Sequence, residues 1–156
     1  MKRRDIFILI GVLILDLGSK VLVQSNLALH QQIPIIENFF YITYAKNTGA
    51  AWSLFSGRVG ILTLISLLGV GLFVYMYTKT PEENKWERIC ITLMIAGAAG
   101  NLFDRFVFGY VRDFLDFIIF GYDFPIFNVA DSALCIGIFV LIIITLFKKE
   151  EPDGKN

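Results

Sequence analysis

Residues 129–147, VADSALCIGIFVLIIITLF, form a nearly continuous apolar run with one charged residue, Asp131. A helix needs about 20 apolar residues to cross the roughly 30 Å hydrocarbon core of a bilayer. Three earlier runs, at about 6–23, 60–77 and 89–108, have a similar length and character. The sequence therefore predicts a membrane protein built from four spanning helices.

The composition agrees with a membrane protein. Of the 156 residues, 56% are hydrophobic and only 18% are charged, whereas a soluble domain has roughly a quarter of its residues charged. The mean hydropathy is +0.65. The formal net charge of zero gives no indication of a nucleic acid or another polyanion as partner. We predict one integral membrane domain over residues 1–156, with a disordered, flexible tail at 150–156.

The N-terminus begins Met1-Lys2-Arg3-Arg4 and continues into an apolar run, which is also the layout of a cleavable signal peptide. The run is longer than the usual signal-peptide core of about 7–15 residues, and no small-x-small cleavage site ends it. It also contains two charged residues, Asp16 and Lys20. We therefore expect an uncleaved first helix.

The positive charges set the expected orientation, because cytoplasmic loops of membrane proteins are enriched in lysine and arginine. With the N-terminus inside, residues 26–59 and 109–128 face outward, and both termini lie in the cytoplasm. Nine of the fourteen lysines and arginines are then cytoplasmic: Lys2, Arg3, Arg4, Lys79, Lys85, Arg88, Lys148, Lys149 and Lys155.

The first outward segment, about 26–59, is predicted to be rich in β-structure. Residues 39–44 read FFYITY, and aromatic and β-branched residues favour strands. The residues Asn47-Thr48-Gly49 supply a turn. We expect this strand pair to lie at the outer membrane surface, where tyrosine and tryptophan are enriched. The second outward segment, 109–128, is expected to be a short loop that joins helices 3 and 4.

Few residue types are available for catalysis. The one histidine, His30, has no nucleophile motif near it, so a serine or cysteine hydrolase is poorly supported. A zinc site would lack ligands, and the sequence contains no glycine-rich phosphate loop. We interpret Cys90 and Cys135, which lie within apolar runs, as buried structural thiols without a disulfide. We predict no metal and no cofactor.

Carboxylates and amides instead cluster at the outer ends of the last two helices. Asn101, Asp104 and Arg105 share one face of helix 3, because residues three and four apart are neighbours on a helix. Asn128 and Asp131 open helix 4. Ionisable residues at membrane depth are costly and are candidates for function by default.

Two further acids, Asp113 and Asp116, lie between these groups. Because the connection between helices 3 and 4 is short, we expect Asp113 and Asp131 to meet at the outer membrane surface. Two carboxyls that lie close together share one proton. Such a pair can hydrolyse a peptide, since one carboxyl takes a proton from water while the other protonates the carbonyl oxygen. Asp116 alone is interpreted as a loop acid.

Some of these groups also have a structural interpretation. Asn128 followed by Asp131 is typical of a helix N-cap with an acidic residue three positions later. Asp104 and Arg105 are interpreted as an ion pair. These interpretations compete with catalysis for each residue taken singly, and the joint arrangement favours catalysis.

The remaining polar and small residues are given structural roles. Asp16 and Lys20, at positions i and i+4, are predicted to neutralise each other or groups on helix 3. Gly97 and Gly100 predict close packing between helices. His30 is interpreted as an exposed loop residue.

Five short motifs, spread along nearly the whole chain, resemble those of the lipoprotein signal peptidases, the type II signal peptidases of bacteria, and occur in that family's order. The motifs are DLGSK at 16–20, NTGAAW at 47–52, GNLFDR at 100–105, VRDF at 111–114 and FNVADS at 127–132. The resemblance implies that Asp113 and Asp131 are the catalytic aspartates. It implies supporting or substrate-binding roles for Asn47, Gly49, Asn101, Asp104, Arg105 and Asn128.

The resemblance also implies a substrate and a location. The substrates would be prolipoproteins with a diacylglyceryl-modified cysteine, cut just before that cysteine. The enzyme would be a multi-pass protein of the bacterial cytoplasmic membrane, in contact with membrane lipids, with its active site at the outer face. The family usually has glutamine after the first motif's aspartate, where this chain has Leu17. That change removes a polar group from helix 1 and leaves the aspartate pair intact. The oligomeric state stays open.

Two other classes of protein remain open on the residues alone. A proton-coupled transporter or channel would use intramembrane acids as a relay, and would place them through the bilayer depth with helices broken at the midplane. Here the acids gather at the outer end, and only Asp16 lies near the middle of a span. A non-enzymatic assembly or chaperone subunit is the third class.

Overall fold

The computed structural model describes residues 1–49 and 57–148. Four helices in this part of the chain are long and apolar enough to cross a membrane, by length and composition. They are α1 (Arg3–Asn26), α2 (Val59–Lys79), α3 (Lys85–Phe108) and α4 (Val129–Phe147). The four predicted helices are therefore confirmed. The predicted bounds of α4 agree with the structure, whereas α1 and α3 begin three and four residues earlier than predicted. The predicted tail at 150–156 lies outside the described residues.

Helix α3 is the centre of the bundle. It packs against α1, α2 and α4, and 56% of its apolar span is buried, compared with 11%, 6% and 17% for α1, α2 and α4. The outer three helices thus present apolar side chains to the surroundings, as a lipid environment requires. The tightness of the packing depends on glycine, as predicted for Gly97 and Gly100. A Cβ added at Gly100 would lie 2.5 Å from an Asp16 carboxylate oxygen, and one added at Gly97 would collide with the Ala130 carbonyl.

A small antiparallel sheet covers one end of the bundle. Its strands are β1 (Gln32–Ile36), β2 (Phe40–Asn47), β3 (Val111–Ile119) and β4 (Tyr122–Asp123), in that order across the sheet. The predicted strand in the first outward segment is present as β2. The prediction of a short loop over residues 109–128 is wrong, because that segment contributes β3 and β4. The aromatic and β-branched residues of VRDFLDFII favour a strand, and Gly109, with φ of 74°, turns the chain out of α3 into it.

The sheet places two remote parts of the sequence beside each other. In the β2–β3 pairing Ala45 lies opposite Asp113, and the register shifts between Ile42 and Ala45. A single bridge pairs Leu115 with Phe127, so the segment that leads into α4 lies next to β3. We call the end of the bundle that carries the sheet the sheet end, and the end that carries the N-terminus, the last residues of α4 and the α2–α3 connection the terminal end.

Candidate active site

A cavity of about 630 Å³ opens at the sheet end, between α2, α3, α4 and the start of β3. Its walls include apolar side chains such as Phe73, Phe124 and Phe127. The polar side chains that line it are Asn47, Ser66, Asn101, Arg105, Asp113, Asp131 and Ser132. The structure therefore brings Asp113 and Asp131 into one cavity, although 17 residues separate them in the sequence.

Asp113 lies on β3 and is 2% exposed. Each of its carboxylate oxygens accepts one hydrogen bond from an amide side chain. The Asn128 Nδ2 donates to Oδ1 at 2.6 Å, and the Asn47 Nδ2 donates to Oδ2 at 2.9 Å. Asn47 is the last residue of β2, so the β2–β3 pairing is what holds its amide against Asp113.

Asp131 lies in the first turn of α4 and is held in a similar way. The Asn101 Nδ2 donates to its Oδ1 at 2.7 Å, and the Asn128 backbone N–H donates to its Oδ2 at 3.2 Å. Asn101 comes from α3, one helix away. Both carboxylates are therefore held by uncharged donors, and one residue, Asn128, donates to each of them.

Asn128 connects the two acids. It is the N-cap of α4: its side chain accepts from the Asp131 backbone N–H, and the Asp131 side chain accepts from its own, which completes a capping box. The predicted N-cap is thus present. The same side chain donates to Asp113, and also to the Asn101 Oδ1 at 3.1 Å. One side chain can make both sets of contacts, because an amide has an acceptor oxygen and a separate donor nitrogen.

A second layer of contacts surrounds the amides. The Asn47 Oδ1 accepts from the Gly49 N–H at 2.9 Å, and the Gly49 carbonyl accepts from the Arg105 guanidinium at 3.3 Å. Arg105 also donates to the Ser66 hydroxyl at 3.3 Å. The turn predicted at residues 47–49 is therefore anchored to α3 and α2. The last three residues of the family-like motif, 50–52, lie outside the described residues.

The predicted ion pair between Asp104 and Arg105 is absent from the described residues. Asp104 instead binds Arg112 on β3: the guanidinium donates to both carboxylate oxygens, at 2.6 and 3.1 Å, and the Arg112 backbone N–H donates at 3.0 Å. Neighbouring residues on a helix point about 100° apart, so Asp104 and Arg105 face different partners. The VRDF motif could have suggested this contact, because Arg112 closely follows the end of α3.

The predicted pairing of Asp16 with Lys20 is present and is fully buried. The Lys20 Nζ lies 2.8 Å from the Asp16 carboxylate and 3.6 Å from that of Asp104. It also donates to the Asn101 Oδ1 at 3.1 Å, while Asp16 accepts from the Ala130 backbone N–H at 2.9 Å. The pair is thus directly below the candidate site and binds α1 to the polar ends of α3 and α4.

The acids at the sheet end therefore fall into two groups. Asp16 and Asp104 each lie within 4.0 Å of a lysine or arginine nitrogen. Asp113 and Asp131 have no such cation within that distance among the described residues, and their partners are amides. Burial and the nearby Asp131 carboxylate raise the pKa of Asp113 to about 7, against the lowering effect of the Asn47 and Asn128 hydrogen bonds. A carboxyl with this pKa can hold or release a proton near neutral pH.

The structure also shows the positions of Asp116, the two cysteines and His30. Asp116 is not a loop acid: it lies on β3, is 6% exposed, and accepts hydrogen bonds from Thr43 and Gln32. Cys90 is buried as predicted, but the prediction for Cys135 is wrong, because its side chain is exposed and lines the cavity one helical turn from Asp131. His30 is exposed in a loop, as predicted.

Within residues 1–49 and 57–148, no cluster of three or more histidine, cysteine, aspartate or glutamate side chains could hold a metal ion. Two acids at one cavity, each held by amide donors and one with a pKa near 7, can act as general acid and general base on a water molecule.

Comparisons with known proteins show the family to which the chain is similar. Residues 8–147 match the family model described as Signal peptidase (SPase) II. The chain is 43% identical over 142 residues to the lipoprotein signal peptidase of Staphylococcus carnosus (strain TM300), which covers 91% of this chain and 89% of that protein. It is 41% identical over 155 residues to the lipoprotein signal peptidase of Staphylococcus aureus (strain JH9), which covers 97% of this chain and 94% of that protein.

Solved structures give the same result. One, a bacterial membrane enzyme determined by the in meso method at 2.3 Å resolution, superposes with a TM-score of 0.89 and 37% identity over 98% of this chain and 93% of the other. A second bacterial membrane enzyme, at 1.9 Å resolution, gives 0.84 and 40% identity over 94% of each chain. On this likeness in sequence and in structure, the chain belongs to the signal peptidase II family.

Proposed function

We propose that Asp113 and Asp131 are the catalytic pair of this signal peptidase II, an aspartic peptidase that removes signal peptides from prolipoproteins. The observation that carries the assignment is the set of hydrogen-bond partners: the buried Asp113 and the half-buried Asp131 share a cavity and are held by amides. Every other buried aspartate at the sheet end has a cation or a strand partner instead.

The reaction follows from two carboxyls that share one proton. The ionised carboxyl takes a proton from a water molecule held between the pair, and that water attacks the peptide carbonyl carbon. The other carboxyl gives its proton to the carbonyl oxygen as the carbon becomes tetrahedral, and the roles reverse when the amine leaves. The raised pKa of Asp113 supports this scheme, because it keeps a proton available near neutral pH.

The surrounding residues are assigned positioning roles. Asn47, Asn101 and Asn128 aim the carboxylates, since their amide nitrogens donate and carry no charge that would hold both acids ionised. Arg105 holds the Gly49 carbonyl, and thereby the turn that carries Asn47. Asp104, Asp16 and Lys20 fix α1, α3 and β3 to one another, and their role is structural.

The site is proposed to lie at the outer face of the bacterial cytoplasmic membrane, with both termini in the cytoplasm. The terminal end carries most of the lysines and arginines, including Lys2, Arg3, Arg4, Lys79 and Lys85, which is typical of a cytoplasmic side. A reporter fused after Asn156 should then be active in the cytoplasm, and one inserted near Gly121 should report outside. The opposite result would show that both the proposed orientation and the proposed location of the site are wrong.

The proposed substrate is the diacylglyceryl-modified precursor, cut just before the modified cysteine. The apolar wall of the cavity supports it, because Phe73, Phe124 and Phe127 offer a surface for an acyl chain or an apolar signal segment beside the aspartates. The decisive experiment is cleavage of a synthetic lipidated precursor by the purified protein. A matched peptide that lacks the diacylglyceryl group is the control. Equal cleavage of both would remove the lipid requirement, and cleavage of neither would remove the peptidase assignment.

A further inference from the structure

A second cavity, of about 600 Å³, lies at the terminal end, far from the candidate active site. It is formed where α1 and α2, which both pack on α3, meet the α2–α3 connection. Its floor is apolar and consists of Leu9, Val74 and Ile95, and its mouth is polar and includes Lys79 and Thr80. Val74 is 44% exposed on the side of α2, so the floor is open to the apolar surroundings of the bundle.

Arg88 lines this cavity and is only 6% exposed. Its guanidinium donates to the Thr80 carbonyl at 2.9 Å and to the Tyr77 hydroxyl at 2.6 Å, and lies 4.1 Å from the centre of the Tyr77 ring. Its Nε has no hydrogen-bond partner. Among the described residues it is the one buried polar side-chain atom in this condition. A buried donor without a hydrogen-bond acceptor is costly, so a ligand oxygen bound at this cavity would stabilise the Arg88 guanidinium.

The charges around the cavity favour a negative ligand. The nearest carboxylate to Arg88 Nε is Asp5, at 3.7 Å. Asp5 already has a closer partner in Arg4, at 2.7 Å, and Glu82 at the mouth is paired with Lys2 at 3.1 Å. Two carboxylates, Asp5 and Glu82, thus face four cations, Lys2, Arg4, Lys79 and Arg88, so this end of the bundle has an excess of positive charge.

We propose that this cavity binds an anionic membrane phospholipid, with the lipid phosphate at Arg88 and Lys79 and one acyl chain along Leu9 and Val74. A polar, positively charged mouth above an apolar floor fits an amphiphile, and basic pockets between spanning helices bind anionic headgroups. The lipid binds α1, α2 and the start of α3 together at the end opposite the aspartates. This site is separate from substrate binding and does not depend on the proposed catalytic roles.

The test is the thermal stability of the purified protein in a neutral detergent. Phosphatidylglycerol is titrated against phosphatidylcholine with the same acyl chains, and inorganic phosphate forms a third arm. Phosphatidylglycerol should raise the Tm progressively, by about 5 °C at a large excess over Kd, since a ligand that binds only the folded state stabilises it in proportion to the logarithm of that excess. An equal rise with phosphatidylcholine would overturn the proposal in favour of unspecific lipid. An equal rise with inorganic phosphate would overturn it in favour of a soluble anion.

Two variants separate the headgroup from the chain. Lys79→Gln removes an exposed positive charge from the mouth of the cavity. Val74→Trp places a large side chain over its apolar floor, from the exposed side of α2. Each should lose at least half of the shift produced by phosphatidylglycerol. The matched control is Arg3→Gln, which removes one exposed positive charge from the same end without touching the cavity, and should keep the full shift. If Lys79→Gln and Val74→Trp also keep it, the proposed site is wrong, whatever the peptidase activity of the variants.

Discussion

Both ends of the bundle bury carboxylates, and they stabilise them differently. At the terminal end, Asp5 is fully buried and has Arg4 and Arg88 as cationic neighbours, with the Tyr77 hydroxyl as a third partner. At the sheet end, Asp113 and Asp131 are held by the side-chain amides of three asparagines and one backbone N–H. The first arrangement neutralises the charge of an ionised carboxylate. The second contains no cation among the described residues, so the carboxyls can change between their protonated and ionised forms.

The difference shows that the protonation of a buried carboxyl depends on its partners as well as on its burial. A neighbouring guanidinium favours the charged form of a carboxyl and opposes its protonation. Amide donors stabilise a carboxylate less, so a second acid nearby can force the pair to keep a proton. A catalytic aspartate pair in this fold is therefore identified by the partners of the acids, and the predictions below test that criterion.

The largest expected effect is at the pair itself. Asp113→Asn and Asp131→Asn should each lower turnover of a lipidated precursor by at least about 100-fold, because each removes a proton-transfer group worth about 10²–10⁴. The double variant should lose little more than either single one, since residues that act as a unit are non-additive. Turnover is measured on purified variants, with Tm recorded beside it.

Two acids of the same sheet serve as controls for the pair. Asp116→Asn should keep much of its activity and lower the Tm, because Asp116 is bound by Thr43 and Gln32. Asp123, which is exposed on β4, should tolerate the same change in both respects. Near-normal turnover of Asp113→Asn together with loss in Asp116→Asn would mean that the wrong acid of β3 has been chosen. Near-normal turnover of both pair variants would end the aspartic-peptidase mechanism.

The second effect is on stability and concerns the cation below the site. Lys20→Met leaves Asp16 without its cation, and breaking a buried ion pair by removing one partner costs about 3–5 kcal/mol. We expect protein yield and Tm to fall more than the specific activity of the protein that does fold. Arg88→Met is the counterpart at the terminal end and should lower the Tm less, because Asp5 retains Arg4. Normal yield and Tm of Lys20→Met with abolished turnover would place Lys20 in the catalytic machinery.

The third effect is the pH dependence that the amide-held pair should show. The pKa of Asp113 is raised from 3.8 to about 7, so the folded protein binds this proton more tightly than the unfolded chain. Its contribution to stability is complete below about pH 4 and is lost as the pH rises through about 7. The Tm should therefore fall between about pH 5 and pH 8 by more in the parent than in Asp113→Asn. Cleavage should also decline above about pH 7, as the shared proton is released. Parallel Tm curves would contradict the shift.

The smallest effect is expected at the cysteines. Cys135→Ala should leave turnover within about threefold, since the thiol lines the cavity without contacting either carboxylate through a hydrogen bond, and changes away from such contacts cost little. Cys90→Ala should lower the Tm slightly, because the Cys90 side chain is buried. A bulky thiol reagent should inhibit the parent and leave Cys135→Ala unaffected. Complete loss of activity in a folded variant that carries both Cys90→Ala and Cys135→Ala would reopen a thiol mechanism.

The helices were predictable because each is a long apolar run, and membrane spans leave a strong signal. Strand β3 was missed because its nine residues contain Arg112, Asp113 and Asp116, which suggest a polar loop. A buried strand can contain these charges only because each has a partner: Arg112 binds Asp104, Asp113 accepts from asparagines, and Asp116 accepts from Thr43. None of these partners belongs to the strand itself. The signal that was available is the aromatic and β-branched content of the same stretch.

The candidate pair was predictable to the extent that topology alone brings Asp113 near Asp131. The partners were harder to predict, because side-chain contacts depend on register and rotamer. Sequence proximity suggested Asp104 with Arg105, whereas the strand that follows α3 delivers Arg112 to Asp104. Ser66 and Cys135 reach the cavity from the walls of α2 and α4, and nothing in their local sequence distinguishes them from other helix residues.

The double use of Asn128 bears on how this protein can evolve. Its oxygen begins helix α4 and its nitrogen holds Asp113. Aspartate could begin the helix but would repel Asp113, and serine could begin it but has no second arm to reach the acid. If Asp113 is catalytic as proposed, the exchange of Asn128 for either residue would keep the helix and lower cleavage, so selection for the activity would disfavour both exchanges. The residue at this position would then distinguish active copies of the gene from inactive ones.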